Sequence, residues 1–160
     1  TEKDIWNRHI LDSAQIIKFI DSGTKKIADF GSGAGFPGLI ISIYDLKNKF
    51  HVKLYEKSPV KRQFLRDMAN KLNLKVEILG NVYEEELKVD LIVSRAFKKL
   101  SEIIKISREN YTKPHKLIIL KGKNAEEELN NISLDKNYSY KLIKSITNSD
   151  SKIIILEVKV

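Results

Sequence analysis

A glycine-rich turn at residues 29–38 carries the strongest chemical signal in the sequence. It reads Asp-Phe-Gly-Ser-Gly-Ala-Gly-Phe-Pro-Gly and follows a short apolar run at 26–30 that predicts a buried strand. Glycine lets a backbone turn sharply and approach a ligand closely, and a helix that begins near Pro37 would add partial positive charge at its N-terminus. The pattern predicts a loop that holds a small ligand, although a purely structural loop is the alternative.

The spacing of the glycines favours one kind of cofactor over another. A dinucleotide fingerprint requires glycine at positions 31, 33 and 36, and position 36 is phenylalanine. A nicotinamide oxidoreductase is therefore disfavoured. The acidic Asp29, two positions before Gly31 and followed by Gly33 and Gly35, instead resembles motif I of S-adenosylmethionine (SAM)-dependent methyltransferases.

A second acidic residue, Glu56, ends the next predicted strand, 25 residues after Gly31. A carboxylate at that place accepts hydrogen bonds from both hydroxyls of a ribose. This feature indicates a nucleoside cofactor without choosing between SAM and a nicotinamide. The alternative interpretation is that Glu56 only caps the helix that begins near Pro59.

Strand-like and helix-like segments alternate along the chain and predict an α/β fold. Apolar runs and period-two alternation predict strands at 26–30, 50–56, 76–79, 91–93 and 117–120. Helical spacing of apolar residues predicts helices at 37–46, 60–72, 99–110 and 126–132. The runs at 138–146 and 152–160 predict a C-terminal antiparallel hairpin. The alternation favours a mostly parallel, doubly wound sheet, which binds ligands beyond the carboxyl ends of its strands.

The segment before the first strand predicts an N-terminal amphipathic helix. Its apolar side chains recur at helical spacing, at Trp6, Ile10, Ala14, Ile17 and Ile20. Arg8 and Asp12 are i,i+4 neighbours and predict a weak surface pair. On such a helix His9 is more typical of a packed, hydrogen-bonded histidine than of a catalytic one.

Composition excludes several classes of protein. The length of 160 residues predicts one domain, residues 1–160, with a sizeable core. The chain has no cysteine, which excludes disulfides, zinc–thiolate sites, iron–sulfur clusters and thiolate nucleophiles, and no metal is expected. No apolar run approaches the roughly 18 residues of a membrane span, and no secretory signal is visible, so we expect no membrane partner and a cytoplasmic location.

Positive charge is concentrated in two blocks. The net charge is +8, residues 57–75 carry six basic side chains against one acidic, and residues 95–123 carry nine against two. Such patches predict a surface for a polyanion. Lysines at solvated helix ends are the alternative explanation.

Four segments in order carry a specific resemblance to a known family. They are Trp-Asn-Arg-His-Ile-Leu-Asp-Ser at 6–13, the glycine-rich turn at 29–38, Val-Ser-Arg-Ala-Phe at 93–97 and Leu-Lys-Gly at 120–122. Over essentially all its length the chain closely resembles the bacterial 16S ribosomal RNA guanine-N7 methyltransferases, known as RsmG or GidB. The resemblance implies a Rossmann-like class I SAM-dependent fold with SAM as cofactor. It also implies a further N-terminal helical segment, relative to which this chain looks truncated.

The resemblance implies both a substrate and a set of cofactor contacts. The substrate is N7 of one guanine in the 530 loop of 16S ribosomal RNA, within the small ribosomal subunit, and we expect the enzyme to act as a monomer. Gly31 and Phe36 match SAM-contacting positions, and Asp29, Gly33 and Gly35, which shape the same turn, are also expected to bind the cofactor. Glu56 stands where the family more often has aspartate.

A second group of residues matches the family near the adenine and the substrate. Tyr83 and Glu84 match a pair that borders the adenine, although the family usually reads Arg-(Ile/Val/Ala)-Glu there. Arg95 matches the arginine of Ser-Arg-Ala, beside cofactor and substrate, and Lys121 matches the lysine of Leu-Lys-Gly. We expect Arg95 and Lys121 to donate hydrogen bonds to guanine O6 or to an adjacent phosphate. Phe97 either stacks on the base or packs in the core.

The chemistry of N7 methylation fits this set of residues. Guanine N7 carries an in-plane lone pair and no proton, so attack on a sulfonium methyl group needs no general base. Alignment of nucleophile, methyl group and sulfur can supply roughly 7–11 kcal/mol of barrier reduction. The lack of cysteine disfavours pyrimidine-C5 methylation, and Ser94-Arg95-Ala96-Phe97 stands where amino-nitrogen methylases have Asn/Asp-Pro-Pro-aromatic.

The basic residues predict an RNA-binding rim at the carboxyl edge of the sheet. The candidates follow the second, fourth and fifth strands or lie in the N-terminal motif, and they are Arg8, His9, Lys57, Lys61, Arg62, Lys98, Lys99 and Lys123. Their binding to RNA is expected to weaken with salt. Two alternatives stay open: a SAM-dependent methyltransferase of another RNA or of a small molecule, and a non-catalytic RNA-binding module on the same fold.

Overall fold

A seven-stranded sheet organises the protein in this computed structural model, which describes residues 1–84 and 87–159, with only the backbone of Glu84. The strand order is β3-β2-β1-β4-β5-β7-β6. The strands are β1 (Lys26–Phe30), β2 (His51–Tyr55), β3 (Val76–Leu79), β4 (Leu91–Arg95), β5 (His115–Lys121), β6 (Tyr138–Lys144) and β7 (Lys152–Val158). The first five strands are parallel, and β7 runs antiparallel to both β5 and β6. The doubly wound sheet and its C-terminal hairpin are therefore confirmed.

Helices cover both faces of the sheet. The main ones are α3 (Gly38–Tyr44), α4 (Pro59–Lys71), α5 (Leu100–Asn110) and α6 (Ala125–Asn130). Apolar residues of α3 and α4 pack in one buried cluster with Ile27 of β1, whereas those of α5 and α6 pack in another with Ala28. Because alternate residues of a strand point to opposite faces, β1 contributes to both layers of the core. In the parts of the chain that the structure describes, no helix has the length and apolarity to cross a bilayer.

The register of the parallel strands brings their carboxyl ends to one edge. Phe30 at the end of β1 pairs with Tyr55 of β2 and Ser94 of β4. Gly31 and Glu56, which follow β1 and β2, therefore meet Arg95, the last residue of β4, at this edge. Ser58 caps α4 with its hydroxyl and Pro59 occupies the first helical position, which starts α4 immediately beyond the edge.

The N-terminal helix is present, but it is not a regular α-helix with the apolar face that the sequence predicted. The segment consists of α1 (Glu2–Ile5), a π-helical turn (Trp6–Leu11), α2 (Asp12–Ala14) and a 3₁₀ turn (Ile17–Phe19). A π turn inserts an extra residue into the helical ladder, so the side chains that follow it change register.

Burial along this segment follows the changed register. The buried residues are Ser13, Gln15 and Ile16, while Trp6, assigned to the apolar face from periodicity, is 57% exposed. The predicted Arg8–Asp12 surface pair is also replaced, because the cation near Asp12 is Arg95, 3.8 Å away.

Candidate active site

A cavity of about 680 Å³ opens at the carboxyl edge, where β1, β2 and β4 end. Its volume lies in the range of about 300–1,000 Å³ that is typical of small-molecule and cofactor sites. Of the predicted residues, the cavity wall includes His9, Gly31, Gly33, Phe36, Glu56, Lys57, Lys61, Tyr83, Arg95 and Lys98. The structure therefore brings these predicted site residues together around one cavity. The structure gives their positions, whereas their functional roles stay predictions.

The glycine-rich loop forms the floor of the cavity. Gly31, Gly33 and Gly35 have φ angles of 69°, 57° and 99°, in the left-handed region that favours glycine. A Cβ at position 31 would also overlap the ring of Phe97, and one at position 35 would overlap Leu39. The loop therefore accepts no larger residue at these points without distortion.

Glu56 connects the loop to the start of α4. Its Oε2 accepts a hydrogen bond from the Gly33 amide at 2.9 Å, and its Oε1 accepts one from the Ser58 amide at 2.9 Å. The carboxylate is buried but lines the cavity. The helix cap itself is the Ser58 hydroxyl, so Glu56 keeps acceptor capacity for hydroxyl groups in the cavity.

Asp29 lies beneath the loop and does not line the cavity. Its Oδ2 accepts a hydrogen bond from the Gly38 amide at 2.9 Å, at the first residue of α3. Its Oδ1 is enclosed and has no hydrogen-bond partner among the described residues. Burial raises the pKa of this carboxyl to about 7. Asp29 and Gly35, both predicted to bind the cofactor, instead support the loop from below and do not line the cavity.

Arg95 joins three of the four sequence segments behind the resemblance. Its Nη1 donates to the Arg8 carbonyl at 2.7 Å, and its Nη2 lies 2.7 Å from His9 Nδ1. The guanidinium also lies over the ring of Phe36, 5.3 Å from the centroid. The side chain is only 20% exposed. Arg95 therefore fastens the N-terminal segment to the glycine-rich loop.

His9 is held in the same cluster. Its ring stacks on Phe36 with centroids 5.3 Å apart and an interplanar angle of 22°. Burial, and then the nearby Arg95 charge, lower the pKa of His9, so the neutral imidazole is favoured. This agrees with the prediction of a packed, hydrogen-bonded histidine, but the ring also forms part of the cavity wall.

Sequence reasoning missed a network of hydrogen bonds that holds the N-terminal segment against the turn between β6 and β7. Asp12 Oδ1 accepts hydrogen bonds from Gln15 Nε2 at 2.7 Å and from Thr147 Oγ1 at 2.8 Å. Gln15 Oε1 in turn accepts from the Ile146 amide at 3.0 Å. The network links the N-terminus to the β6–β7 turn across more than 130 residues, and no local pattern in the sequence signals it.

The adenine-side residues are partly described. Tyr83 lines the cavity and donates a short hydrogen bond from its hydroxyl to Glu102 of α5, which raises the pKa of Tyr83 to about 12. The side chain of Glu84 lies outside the described residues. Phe97 packs edge-on against Phe30 and also lines the cavity, so both of its predicted roles stay open.

Lys121 lies at the end of β5, as expected, but its ammonium faces protein groups. Its Nζ donates to the Lys98 carbonyl at 2.6 Å and contacts the two carboxylate oxygens of Glu128 at 2.9 and 3.2 Å. These three acceptors match the three donors of an ammonium group. Glu128 also accepts from the Leu100 amide at 2.6 Å. In this arrangement Lys121 braces the loop between β4 and α5, and it is not part of the cavity wall.

The basic candidates divide into three groups. Lys57, Lys61 and Lys98 are exposed and line the cavity mouth. Arg62 instead donates to the backbone carbonyls of Glu56 and Lys57, at 2.9 and 2.8 Å. The remaining candidates lie outside the cavity wall with exposed side chains, and they are Arg8, Lys99 and Lys123.

Two further observations bear on the site. Among the described residues, no group of three or more histidine and acidic side chains is arranged to hold a metal ion.

A larger cavity of about 810 Å³ lies at the opposite edge of the sheet, beside residues that precede β1, β4 and β5, such as Lys25, Asp90 and Lys113. Parallel sheets bind their ligands at the carboxyl edge, so the cavity of about 680 Å³ is the candidate site.

The strand order and the loop at the tip of β1 define a class: the protein has the Rossmann-like fold of class I SAM-dependent methyltransferases. The plantazolicin methyltransferase BpumL in complex with SAH aligns with a TM-score of 0.68, at 12% identity, over 99% of this chain and 87% of that chain. M. jannaschii TYW2 in complex with AdoMet aligns with a TM-score of 0.63, at 16% identity, over 93% and 74%. The chain belongs to the GidB family, rRNA small subunit methyltransferase G, whose family model matches residues 1–154.

Curated relatives agree with the family. The Ribosomal RNA small subunit methyltransferase G of Pelagibacter ubique is 42% identical over 151 residues, which are 92% of this chain and 71% of that protein. The protein of the same name from Orientia tsutsugamushi (strain Ikeda) is 37% identical over 161 residues, 100% of this chain and 78% of that protein. The family predicted from the four segments is confirmed.

Proposed function

We propose that this protein transfers a methyl group from SAM to N7 of a guanine in the 530 loop of 16S ribosomal RNA. The observation that carries the proposal is the cavity itself, in which the glycine-rich loop, Glu56 and the Arg95–His9–Phe36 cluster share one wall. Membership of the rRNA small subunit methyltransferase G family supports the RNA substrate.

The residues of the cavity fit SAM. Left-handed glycines let the loop backbone approach the ligand, and Glu56 offers carboxylate oxygens to ribose hydroxyls. Tyr83 and Phe97 supply apolar surface for a base. When bound, SAM supplies an electrophilic methyl group.

The proposed reaction requires the residues of the cavity to bind SAM and to orient the guanine. It does not require them to remove a proton from the base. Guanine N7 has a free lone pair, so it can attack the methyl group without a general base. The site then has to align N7 with the methyl group of SAM and to keep water out. Arg95 holds the N-terminal segment against the loop, and this segment closes one side of the cavity through Ile5 and His9. Lys57, Lys61 and Lys98 place positive charge at the mouth, where RNA phosphates would lie.

The test incubates the protein with methyl-labelled SAM and small ribosomal subunits that lack the modification, and then maps the modified nucleotide. We expect one N7-methylguanine in the 530 loop. Naked 16S ribosomal RNA, precursor particles and a metabolite extract are assayed in parallel. Label on another RNA or on a small molecule would favour the alternative methyltransferases, and failure to bind SAM would favour a non-catalytic RNA-binding module.

A further inference from the structure

The contact between Arg95 and His9 determines which nitrogen of the imidazole carries a proton. The Arg95 guanidinium has donors and no acceptor, so His9 Nδ1, 2.7 Å from Nη2, must accept. A neutral imidazole that accepts at Nδ1 carries its proton on Nε2. Arg95 therefore makes Nε2–H a fixed hydrogen-bond donor.

The Nε2 atom of His9 is available to a ligand. It has no hydrogen-bond partner among the described residues, and it is not enclosed by protein atoms. The ring lines the cavity and is oriented by its stack on Phe36, with an interplanar angle of 22°. Two contacts thus fix the ring, and its unused donor remains at the cavity.

His9 lies on the β4 side of the cavity, away from Glu56. Glu56, the carboxylate suited to a ribose, follows β2, whereas Arg95 ends β4, and β1 lies between these two strands. The Arg95–His9 side is thus the part of the wall farthest from the ribose carboxylate along the sheet edge. Guanine presents O6 beside N7, and O6 is an acceptor, whereas adenine presents an amino donor at the same place.

We propose that His9 determines base specificity in the methyl transfer, through a hydrogen bond from its Nε2–H to O6 of the substrate guanine. The inference rests on the function proposed above and adds the group that distinguishes guanine from adenine. Adenine would place its amino donor against the Nε2–H donor, which leaves both unpaired. Arg95 acts in this recognition as a positioning residue.

The first measurement is the protonation of the His9 ring, independent of activity. Nitrogen-15 NMR of the free protein at pH 7.5 is expected to report a neutral ring with the proton on Nε2. In Arg95→Ala the ring is expected to lose this preference. A proton on Nδ1 in the wild-type protein, or a doubly protonated ring, would overturn the proposal.

The second measurement pairs a change in the protein with a change in the base. His9→Asn retains an acceptor near the Nδ1 position but lacks the distal donor, and His9→Phe retains the stack on Phe36. Each protein is assayed on small subunits reconstituted with guanine or with 2-aminopurine at the target position. The analogue keeps N7 and lacks O6.

We expect the wild-type kcat/KM to fall roughly 10- to 100-fold when 2-aminopurine replaces guanine. His9→Asn and His9→Phe should lose a similar factor on guanine and distinguish the two bases by less than about threefold, because their donor is already gone. If the variants still distinguish the two bases as well as the wild type does, the role of His9 is overturned, whereas the proposed function is not. A wild type that is folded, binds SAM and modifies neither RNA would overturn the proposed function as well.

Discussion

The guanidinium of Arg95 and the imidazole of His9 lie 2.7 Å apart, although 86 residues separate them in the sequence. The contact joins the end of β4 to the N-terminal segment, which precedes β1 in the chain. Phe36 of the glycine-rich loop lies against both side chains. One cluster therefore sets the position of the loop and of the N-terminal segment together. Changes there should affect the site more than the fold.

Arg95→Ala is expected to release the N-terminal segment. The variant loses the donors to the Arg8 carbonyl and to His9, so amide hydrogens at residues 6–12 should exchange faster while those of the β-strands stay protected. Methyl transfer should fall by about 100-fold or more, because misplaced groups align the substrate poorly. Arg95→Lys is the matched control, because it keeps the positive charge and loses the planar guanidinium. It should recover little of the methyl-transfer activity that Arg95→Ala loses. Turnover near that of the wild type in Arg95→Ala would remove the role of Arg95.

Glu56→Gln is expected to weaken SAM binding by roughly 10- to 100-fold, because an amide group would turn a donor towards the Gly33 or Ser58 amides. Equilibrium dialysis with labelled SAM measures the affinity. Glu77→Gln is the control, since Glu77 of β3 pairs with His51 of β2, its side chain is 42% exposed, and it does not line the cavity. Equal affinities in the two variants would contradict the assignment of Glu56.

Gly31→Ala should cost stability and cofactor affinity together. Position 31 has a φ of 69°, and the added Cβ would overlap Phe97, so we expect a loss of about 1–3 kcal/mol in the free energy of unfolding. Gly23→Ala provides a matched control, since a Cβ there meets no atom of the described residues within 4 Å. Urea denaturation measures both variants. Equal stability of Gly31→Ala and Gly23→Ala would show that the loop tolerates a side chain at position 31.

The buried Asp29 predicts a pH-dependent stability. Burial raises its folded-state pKa from 3.8 to about 7, so between these values the folded protein holds a proton that the unfolded chain has lost. Stability from this group is therefore present below about pH 4 and is lost as the pH rises to about 7, by up to about 1.4 kcal/mol per pH unit. Asp29→Asn should remove that slope and retain an acceptor for the Gly38 amide. Urea denaturation between pH 5 and 8 compares the slopes, and parallel curves for the two proteins would contradict the buried, protonated carboxyl.

Lysines at the cavity mouth should set the salt dependence of RNA binding. Replacing Lys57, Lys61 and Lys98 by glutamine is expected to weaken binding and to lower the slope of log K against log salt by about 0.7–0.9 for each phosphate that is no longer neutralised. Lys47→Gln, at an exposed position after α3 and away from the carboxyl edge, should leave the slope unchanged. Filter binding at several salt concentrations measures the slope. If the triple variant keeps the wild-type slope, these three lysines do not contact RNA phosphates, and the RNA binds at another surface.

The sequence predicted the framework well because its signals are local. Apolar runs identified the strands, and the glycines at positions 31, 33 and 35 identified the loop, whose left-handed angles require that residue type. The two β-rich runs identified the hairpin of β6 and β7. Each of these features depends on neighbours in the chain, which pattern reasoning can follow.

The N-terminal segment was not predictable in the same way. Periodicity assumes an even α-helix, and the π-helical turn at Trp6–Leu11 breaks that period. Its partners are also distant in sequence, since Asp12 meets Arg95 and Thr147. Lys121 illustrates the same limit, because its position at the end of β5 was predictable, whereas its engagement by Glu128 and the Lys98 carbonyl was not.

The most direct test of the central claim is calorimetric titration of the folded protein with S-adenosylhomocysteine, the demethylated product of SAM. We expect a heat of binding with one site per chain. A saturating nucleoside competitor, such as sinefungin, is expected to abolish this heat. Circular dichroism of the same sample establishes that the chain is folded, and a folded sample with no heat of binding for either SAM or its product would contradict the assignment of the cavity.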